Sequence, residues 1–134
     1  MILIPARDEA GSIAQVITEA RRYWEQAPIV VIDDASQDDT RAVAAIVLSL
    51  PLHLGAWGTM QIGLRYAQRQ GWDLAVTLDA DGQHEPQDIA SLVAPIHRGE
   101  AEVVIGACPP YQPVASAGLC FSIRPIGSLA IVGP

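Results

Sequence analysis

The sequence predicts an α/β domain with a mostly parallel sheet and flanking helices, and two observations carry that expectation. Short apolar runs alternate with amphipathic stretches of helical period along residues 1–106. Acidic residues cluster directly after three of those runs, at Asp8-Glu9, Asp33-Asp34 and Asp79-Ala80-Asp81. Continuous apolar runs alternating with helices describe buried parallel strands joined by helical crossovers. Ligands of such sheets gather outside the carboxyl ends of the strands.

In order along the chain, residues 2–4 (Ile-Leu-Ile) read as a short buried strand that stops at Pro5. Ser12 is the expected N-cap of a helix whose apolar face is Ile13, Val16, Ile17 and Ala20, at i, i+3, i+4, i+7. Residues 29–32 form a second strand running into Asp33-Asp34. Ser36 and Asp39 then resemble a capping box for a helix that buries Val43, Ala44 and Val47. A weaker third strand is expected near 47–52, because Pro51 argues against a central position. Residues 55–58 read as a loop and 59–69 as a helix with Met60, Leu64 and Ala67 inward. Residues 74–78 are the clearest strand. Pro86 suits the first turn of a helix with an Ile89, Leu92, Val93, Ile96 stripe and a late break at Pro95, and 103–105 make a fifth strand.

The chain has 134 residues, half of them hydrophobic and 17% charged, which excludes disorder and fits one domain. A net charge of −7, with no lysine and eight scattered arginines, argues against a nucleic-acid surface. Two cysteines, Cys108 and Cys120, make neither a metal-spacing motif nor a disulfide framework, so a reduced, cytoplasmic protein is expected. The apolar start runs straight into Arg7-Asp8-Glu9, unlike a signal peptide, and 114–132 is too interrupted for a membrane span. Beyond residue 107 the pattern changes. All fifteen acids lie at or before Glu102, and five of the ten prolines lie at or after Pro109. The expectation is therefore a domain over 1–107, cut short after about the fifth strand, and a divergent Pro-rich tail over 108–134.

The pair Asp79 and Asp81 at a strand end can face one cation. Mg²⁺ takes one or two carboxylates plus substrate phosphates, and Mn²⁺ fits the same oxygen ligands. An isolated D-x-D is more often a soluble turn than a metal site. The extended string Leu78-Asp79-Ala80-Asp81-Gly82-Gln83-His84-Glu85-Pro86 is more specific. An EF-hand loop fails on it, since His84 stands where Gly is needed and Ala90 where Glu is needed. An Asp-nucleophile phosphatase would carry its pair after the first strand rather than the fourth, and a receiver domain would need a lysine. Asp33 and Asp34 suit hydrogen bonds from a base or ribose, though acids are also favoured at a helix start for structural reasons. His97 reads as a solvated helix residue and His53 as a loop residue without catalytic consequence. His84 sits beside the metal pair. Trp57 reads as a packing anchor before a stacking platform.

Four strings together resemble the family 2 glycosyltransferases of nucleotide-diphospho-sugar (GT-A, Rossmann-like) fold. They are Ile4-Pro5-Ala6-Arg7-Asp8-Glu9, Val31-Ile32-Asp33-Asp34-Ala35-Ser36-Gln37-Asp38-Asp39-Thr40, Leu54-Gly55-Ala56-Trp57-Gly58, and the string from Leu78 through Pro86. The Asp-Gly-Gln-His form looks most like the branch of dolichyl- and polyprenyl-phosphate mannose synthases. The resemblance implies that Pro5, Ala6 and Glu9 line the nucleotide, that Asp33 and Asp34 read base or ribose, and that Asp79, Asp81 and Gln83 serve Mg²⁺ or Mn²⁺ on the diphosphate. It implies sugar transfer from a UDP- or GDP-sugar to an acceptor such as a polyprenyl phosphate or a cell-envelope glycan, at the inner face of the membrane. The chain departs from the family in two places. His53 replaces an Asn, and Gly106-Ala107-Cys108-Pro109-Pro110 replaces a Gly-Ser-Arg-like segment. With no acid beyond Glu102, a later general base is absent and the catalytic residue is unassigned; a phosphate acceptor needs none. A non-catalytic nucleotide-binding or interaction module, and a degraded gene product without activity, are the alternatives.

Overall fold

The structure is a computed structural model and describes residues 1–43, 46–106 and 119–122. Its sheet has the order β3-β2-β1-β4-β6-β5, with β1 Ile2–Ala6, β2 Ile29–Asp33, β3 Val47–Ser49, β4 Leu74–Thr77, β5 Val103–Ile105 and β6 Leu119–Ser122. The first four strands are parallel, and β6 runs antiparallel between β4 and β5. Helix α1 spans Ile13–Tyr23, α2 Gly55–Arg69 and α3 Ile89–His97.

Pleating divides the apolar residues between two cores. Leu3, Val30, Ile32 and Ala75 face α2, whose Met60, Leu64 and Ala67 meet them. Ile2, Ile4, Val31 and Val76 face the opposite side, against Ile13, Val16 and Ala20 of α1 and Ile89, Val93 and Ile96 of α3. Both core strands β1 and β2 are thus buried on both faces, which is why they read as unbroken apolar runs. Helix α2 lies close on the sheet because Gly63 has no side chain. A Cβ there would stand 3.0 Å from Ile32 Cδ1 and 3.3 Å from Leu3 Cδ1.

The chain lays down β1, β2 and β3 in one direction and then crosses to place β4 on the other side of β1. That reversal is the switch point where open α/β sheets leave a crevice. Pro5 sits at it. Met1 O and Leu3 O accept the Val76 and Leu78 N–H groups, so alternate β1 residues turn toward β4. Pro5 is the next in that series and has no N–H to offer. Register pairing of β1 with β4 accordingly covers only Ile2 and Leu3.

Several local expectations need correction. Ser12 occupies the cap position of α1, yet its hydroxyl makes no cap bond. The stretch after Ser36 forms only a short 3₁₀ helix, Asp39–Val43, with Val43 exposed, because the chain must enter β3 at Val47. Ala44, expected inside that helix, lies outside the described residues. Residues 55–58 are the first turn of α2 rather than a loop, for a reason that lies in Asp34. Trp57, expected as a packing anchor, is 51% exposed on that turn. A 3₁₀ turn, Pro86–Asp88, precedes α3, and α3 passes Pro95 to His97, since a proline so near the end forfeits a single ladder bond. Strand β6 falls in the segment for which the sequence suggested no element. It closes the space between β4 and β5 by backbone pairing, which needs no helical or alternating signature. The remaining tail residues, 107–118 and 123–134, lie outside the described residues.

Gly63→Val is expected to lower unfolding free energy by about 1–3 kcal/mol, because the added methyls meet a fully buried Ile32 and a packed Leu3. Urea denaturation of the variant measures it, and an unchanged midpoint would contradict the close approach of α2.

Candidate functional site

The carboxyl ends of β2, β1 and β4 are adjacent, so the loops after them meet. The first loop is fixed by the second. Three consecutive amides donate across the gap: Asp8 N to Ser36 Oγ at 3.0 Å, Glu9 N to Thr40 Oγ1 at 2.8 Å, and Ala10 N to Asp38 Oδ2 at 3.0 Å. Gln37 N returns a bond to Asp8 Oδ1 at 2.7 Å. The Thr40 hydroxyl also donates to Asp38 Oδ1, and that bond, with the Ala10 amide, holds the Asp38 carboxyl below its usual range. Both loops turn through left-handed backbone at residues other than glycine, Asp8 at φ 55° and Ala35 at φ 58°. Asp adopts that region readily and Ala does not. Ala35 is held there between Asp34 and Ser36, both buried and tied.

The two acids ending β2 have different occupations. Asp33 is fully buried. Its Oδ1 accepts the Ser36 N–H at 3.1 Å, while Oδ2 has no hydrogen-bond partner among the described residues and faces Arg41 Nε at 3.7 Å. A buried carboxylate oxygen without a donor is costly and is the kind of group a ligand satisfies. Asp34 is turned the other way, into the N-terminus of α2. It accepts Leu54 N at 2.6 Å, Gly55 N at 2.9 Å and His53 Nδ1 at 2.7 Å. A remote carboxylate therefore does the work of an N-cap for α2, and that starts the helix at Gly55. Burial alone would raise its pKa, but the bonds from Leu54, His53, Thr59 and Gly55 outweigh burial and leave it lowered.

After β4, Leu78 and Ala80 are buried, Asp79 is half-exposed, and Asp81 and Gln83 stand in solvent. Gly82, at φ 79°, turns the chain directly behind Asp81, whose Oδ1 accepts Gln83 N at 2.9 Å. His84 is buried beneath this turn. Its Nδ1 accepts the Asp79 N–H at 3.0 Å, which leaves the ring proton on Nε2, and Nε2 lies 3.6 Å from Asp79 Oδ2 without a hydrogen bond. Burial pushes the Asp79 carboxyl up, His84 pulls it down, and the Asp81 and Glu9 charges push it up again. Glu9 thus shares its electrostatic neighbourhood across the switch point. Ser12 Oγ donates to Glu9 Oε2 at 2.8 Å, so the hydroxyl expected to cap α1 orients this carboxylate instead.

The sequence-derived residues accordingly form two groups. Pro5, Ala6, Glu9, Asp79 and Asp81 border the β1–β4 switch point, with Gln83 following in the exposed turn. Asp33 faces the β2 side of the cleft, and Asp34 is engaged inside the protein. His53, expected to be a loop residue without catalytic consequence, has a structural role as one of Asp34's partners; the sequence signal for it is its place directly before the Leu-Gly of the α2 start. Among the described residues no three His, Cys, Asp or Glu side chains make a closed metal cage. An open pair of carboxylates burdened by like charge fits Mg²⁺ or Mn²⁺, which complete their shells with phosphate and water.

The model of the family described as Glycosyl transferase family 2 matches residues 1–116. A UDP-N-acetylglucosamine–dolichyl-phosphate N-acetylglucosaminyltransferase of Methanococcus voltae is 30% identical over 127 residues, covering 79% of this chain and 50% of that protein. An undecaprenyl-phosphate mannosyltransferase of Micrococcus luteus is 30% identical over 116 residues, covering 80% and 47%. The chain thus spans about half the length of these curated relatives. The solved glucosyl-3-phosphoglycerate synthase of Mycobacterium tuberculosis superposes with a TM-score of 0.69 at 22% identity, over 90% of this chain and 56% of that one. A second structure of that enzyme, described as a complex with Mn²⁺, UDP and phosphoglyceric acid, superposes at 0.56 with 23% identity, over 71% and 37%. These likenesses establish the GT-A fold.

Asp34→Ala is expected to cost about 2–3 kcal/mol of stability, since it strips charge-assisted bonds from the start of α2. A carboxyl whose folded pKa lies below its ordinary 3.8 contributes fully above that value and loses its contribution as pH falls beneath it. Denaturation midpoints should therefore fall more steeply for the wild type than for Asp34→Ala as pH drops from about 4 to about 2.

Proposed function

The chain belongs to glycosyl transferase family 2, and we propose that it forms the donor-binding part of a metal-dependent enzyme that transfers a sugar from a UDP- or GDP-sugar to a polyprenyl phosphate. The observation that carries this reading is the placement of three carboxylates around the β1–β4 switch point: Asp79 half-exposed at the end of β4, Asp81 exposed in the turn that follows, and Glu9 across the gap, held by Ser12. A cation offsets their mutual repulsion.

In this reading Asp79 and Asp81 hold Mg²⁺ or Mn²⁺, with Gln83 beside them. When bound, the ion neutralises the diphosphate leaving group. His84, through its contact with the Asp79 amide, fixes the turn that presents the two carboxylates. Pro5 and Ala6 border the nucleotide where β1 and β4 part, and Glu9 is held ready by Ser12. The free Asp33 oxygen accepts a base N–H or ribose hydroxyl, and Asp34 supports that position from behind by fixing α2 to the end of β2. A phosphate acceptor is already an anion and requires no general base for its attack. Relatives named for dolichyl- and undecaprenyl-phosphate acceptors support this acceptor class. No helix among the described residues is long and apolar enough to cross a membrane; the polyprenyl-phosphate acceptor of this reading places the reaction at the inner membrane face.

Isothermal titration of the chain with UDP and with GDP, in Mn²⁺ and then EDTA, tests this. One nucleotide should bind with metal and weaken at least about tenfold in EDTA or in Asp79→Asn. Affinity indifferent to EDTA would overturn the metal assignment, and a folded chain that binds neither nucleotide would overturn the donor site.

A further inference from the structure

Five of the seven large hydrophobic side chains that stand well exposed among the described residues fall within 43–57: Val43, Ile46, Leu52, Leu54 and Trp57. They flank β3, the outermost strand of its side of the sheet, and the turn into α2. Leu52 is 57% exposed and Trp57 51%, values that leave most of each side chain in water. Singly exposed apolar residues are ordinary, but a run of them on one edge marks an interaction surface.

Charge identifies the partner. Between Asp39 and Asp73 there is no Asp or Glu, in a chain whose net charge is −7; of the three arginines there, Arg41 faces Asp33, and Arg65 and Arg69 stand exposed on α2. On α2, Trp57, Gln61 and Arg65 follow at i, i+4 and i+8 and are all exposed, so aromatic and guanidinium share one helix face. An apolar edge carrying Leu52 and Trp57, with Arg65 and Arg69 exposed on the adjoining helix and no carboxylate between Thr40 and Trp72, matches a surface with an apolar interior and anionic headgroups.

We propose that this face, formed by the β3 edge, the 50–54 turn and the exposed side of α2, docks on an anionic lipid surface. Leu52 and Trp57 enter the headgroup boundary, and Arg65 stays at the phosphate level through its flexible stem. Placement follows from the site. The amides of Leu54 and Gly55, inside this patch, hold Asp34 at the end of β2, so docking keeps the donor crevice beside the bilayer that carries a lipid-phosphate acceptor. The biological setting rests on the proposed acceptor; the surface itself rests on exposure and charge.

Flotation of the 134-residue chain with vesicles of phosphatidylcholine, alone or with about one-third phosphatidylglycerol, tests the proposal. The wild type should float with the anionic vesicles and be released at about 0.5 M salt, where screening reaches within a few ångströms. Leu52→Ser combined with Trp57→Ser should weaken partitioning by about tenfold or more, and Arg65→Gln by about fivefold, with melting curves unchanged. A wild type that ignores anionic vesicles, or a double variant that binds them equally, overturns docking. A wild-type dimer that the double variant converts to monomer, without vesicle binding, overturns it in favour of a second copy. Nucleotide titration of the same samples separates the two readings: vesicle binding without nucleotide binding defeats the donor site alone, and the converse defeats the docking surface alone.

Discussion

The loop after β1 has no regular structure of its own, and its backbone is satisfied by side chains of the loop after β2. Asp8, Glu9 and Ala10 present three successive N–H groups, and Ser36, Thr40 and Asp38 accept them. Partly buried amides left without acceptors would cost roughly 1–3 kcal/mol each. This lacing holds Glu9 at the β1–β4 switch point, stabilises left-handed backbone at Asp8 and Ala35, and reduces the expected helix after Ser36 to one 3₁₀ segment. Thr40, the acceptor for Glu9 and a donor to Asp38, is fully buried.

A second remote contact sets the other wall. Asp34 reaches past its own loop to cap α2, twenty residues on, and fixes the first turn that carries the exposed Trp57. The two acids at the end of β2 therefore divide the labour: Asp34 is structural support, and Asp33 retains a buried oxygen that faces Arg41 but accepts no hydrogen bond among the described residues. On the far side, Asp79, Asp81 and Glu9 accumulate negative charge around one half-exposed carboxylate. Among the described residues, the side-chain atoms buried without a hydrogen bond are Asp33 Oδ2 and His84 Nε2, beside the two positions that the proposed function gives to the nucleotide and its cation.

The alternation of strands and helices, both core faces and the three acidic strand ends were legible in the sequence, because each rests on a local pattern of burial. Ile13, Val16 and Ala20, or Met60, Leu64 and Ala67, repeat at helical spacing and fold as such. What escaped were side chains whose partners are distant. Ser12 looked like a cap and instead orients Glu9, Ser36 looked like a capping box and instead receives the Asp8 amide, and residues 55–58 looked like a loop because the carboxylate that starts the helix is Asp34. Strand β6 was missed for a related reason, since it is held by backbone pairing to strands far away in sequence. His53 illustrates the limit well: an imidazole before Leu-Gly has no local signature, and its contact with Asp34 is visible only in three dimensions.

Residue-resolved amide hydrogen exchange at Asp8, Glu9 and Ala10 tests most directly whether the second loop holds the first. If it does, these three amides exchange as slowly as those of β1, despite lying in a loop beside the exposed Arg7. Exchange of all three at the rate of an open loop would mean that Glu9 is not positioned in advance, and that the site forms only when ligand arrives.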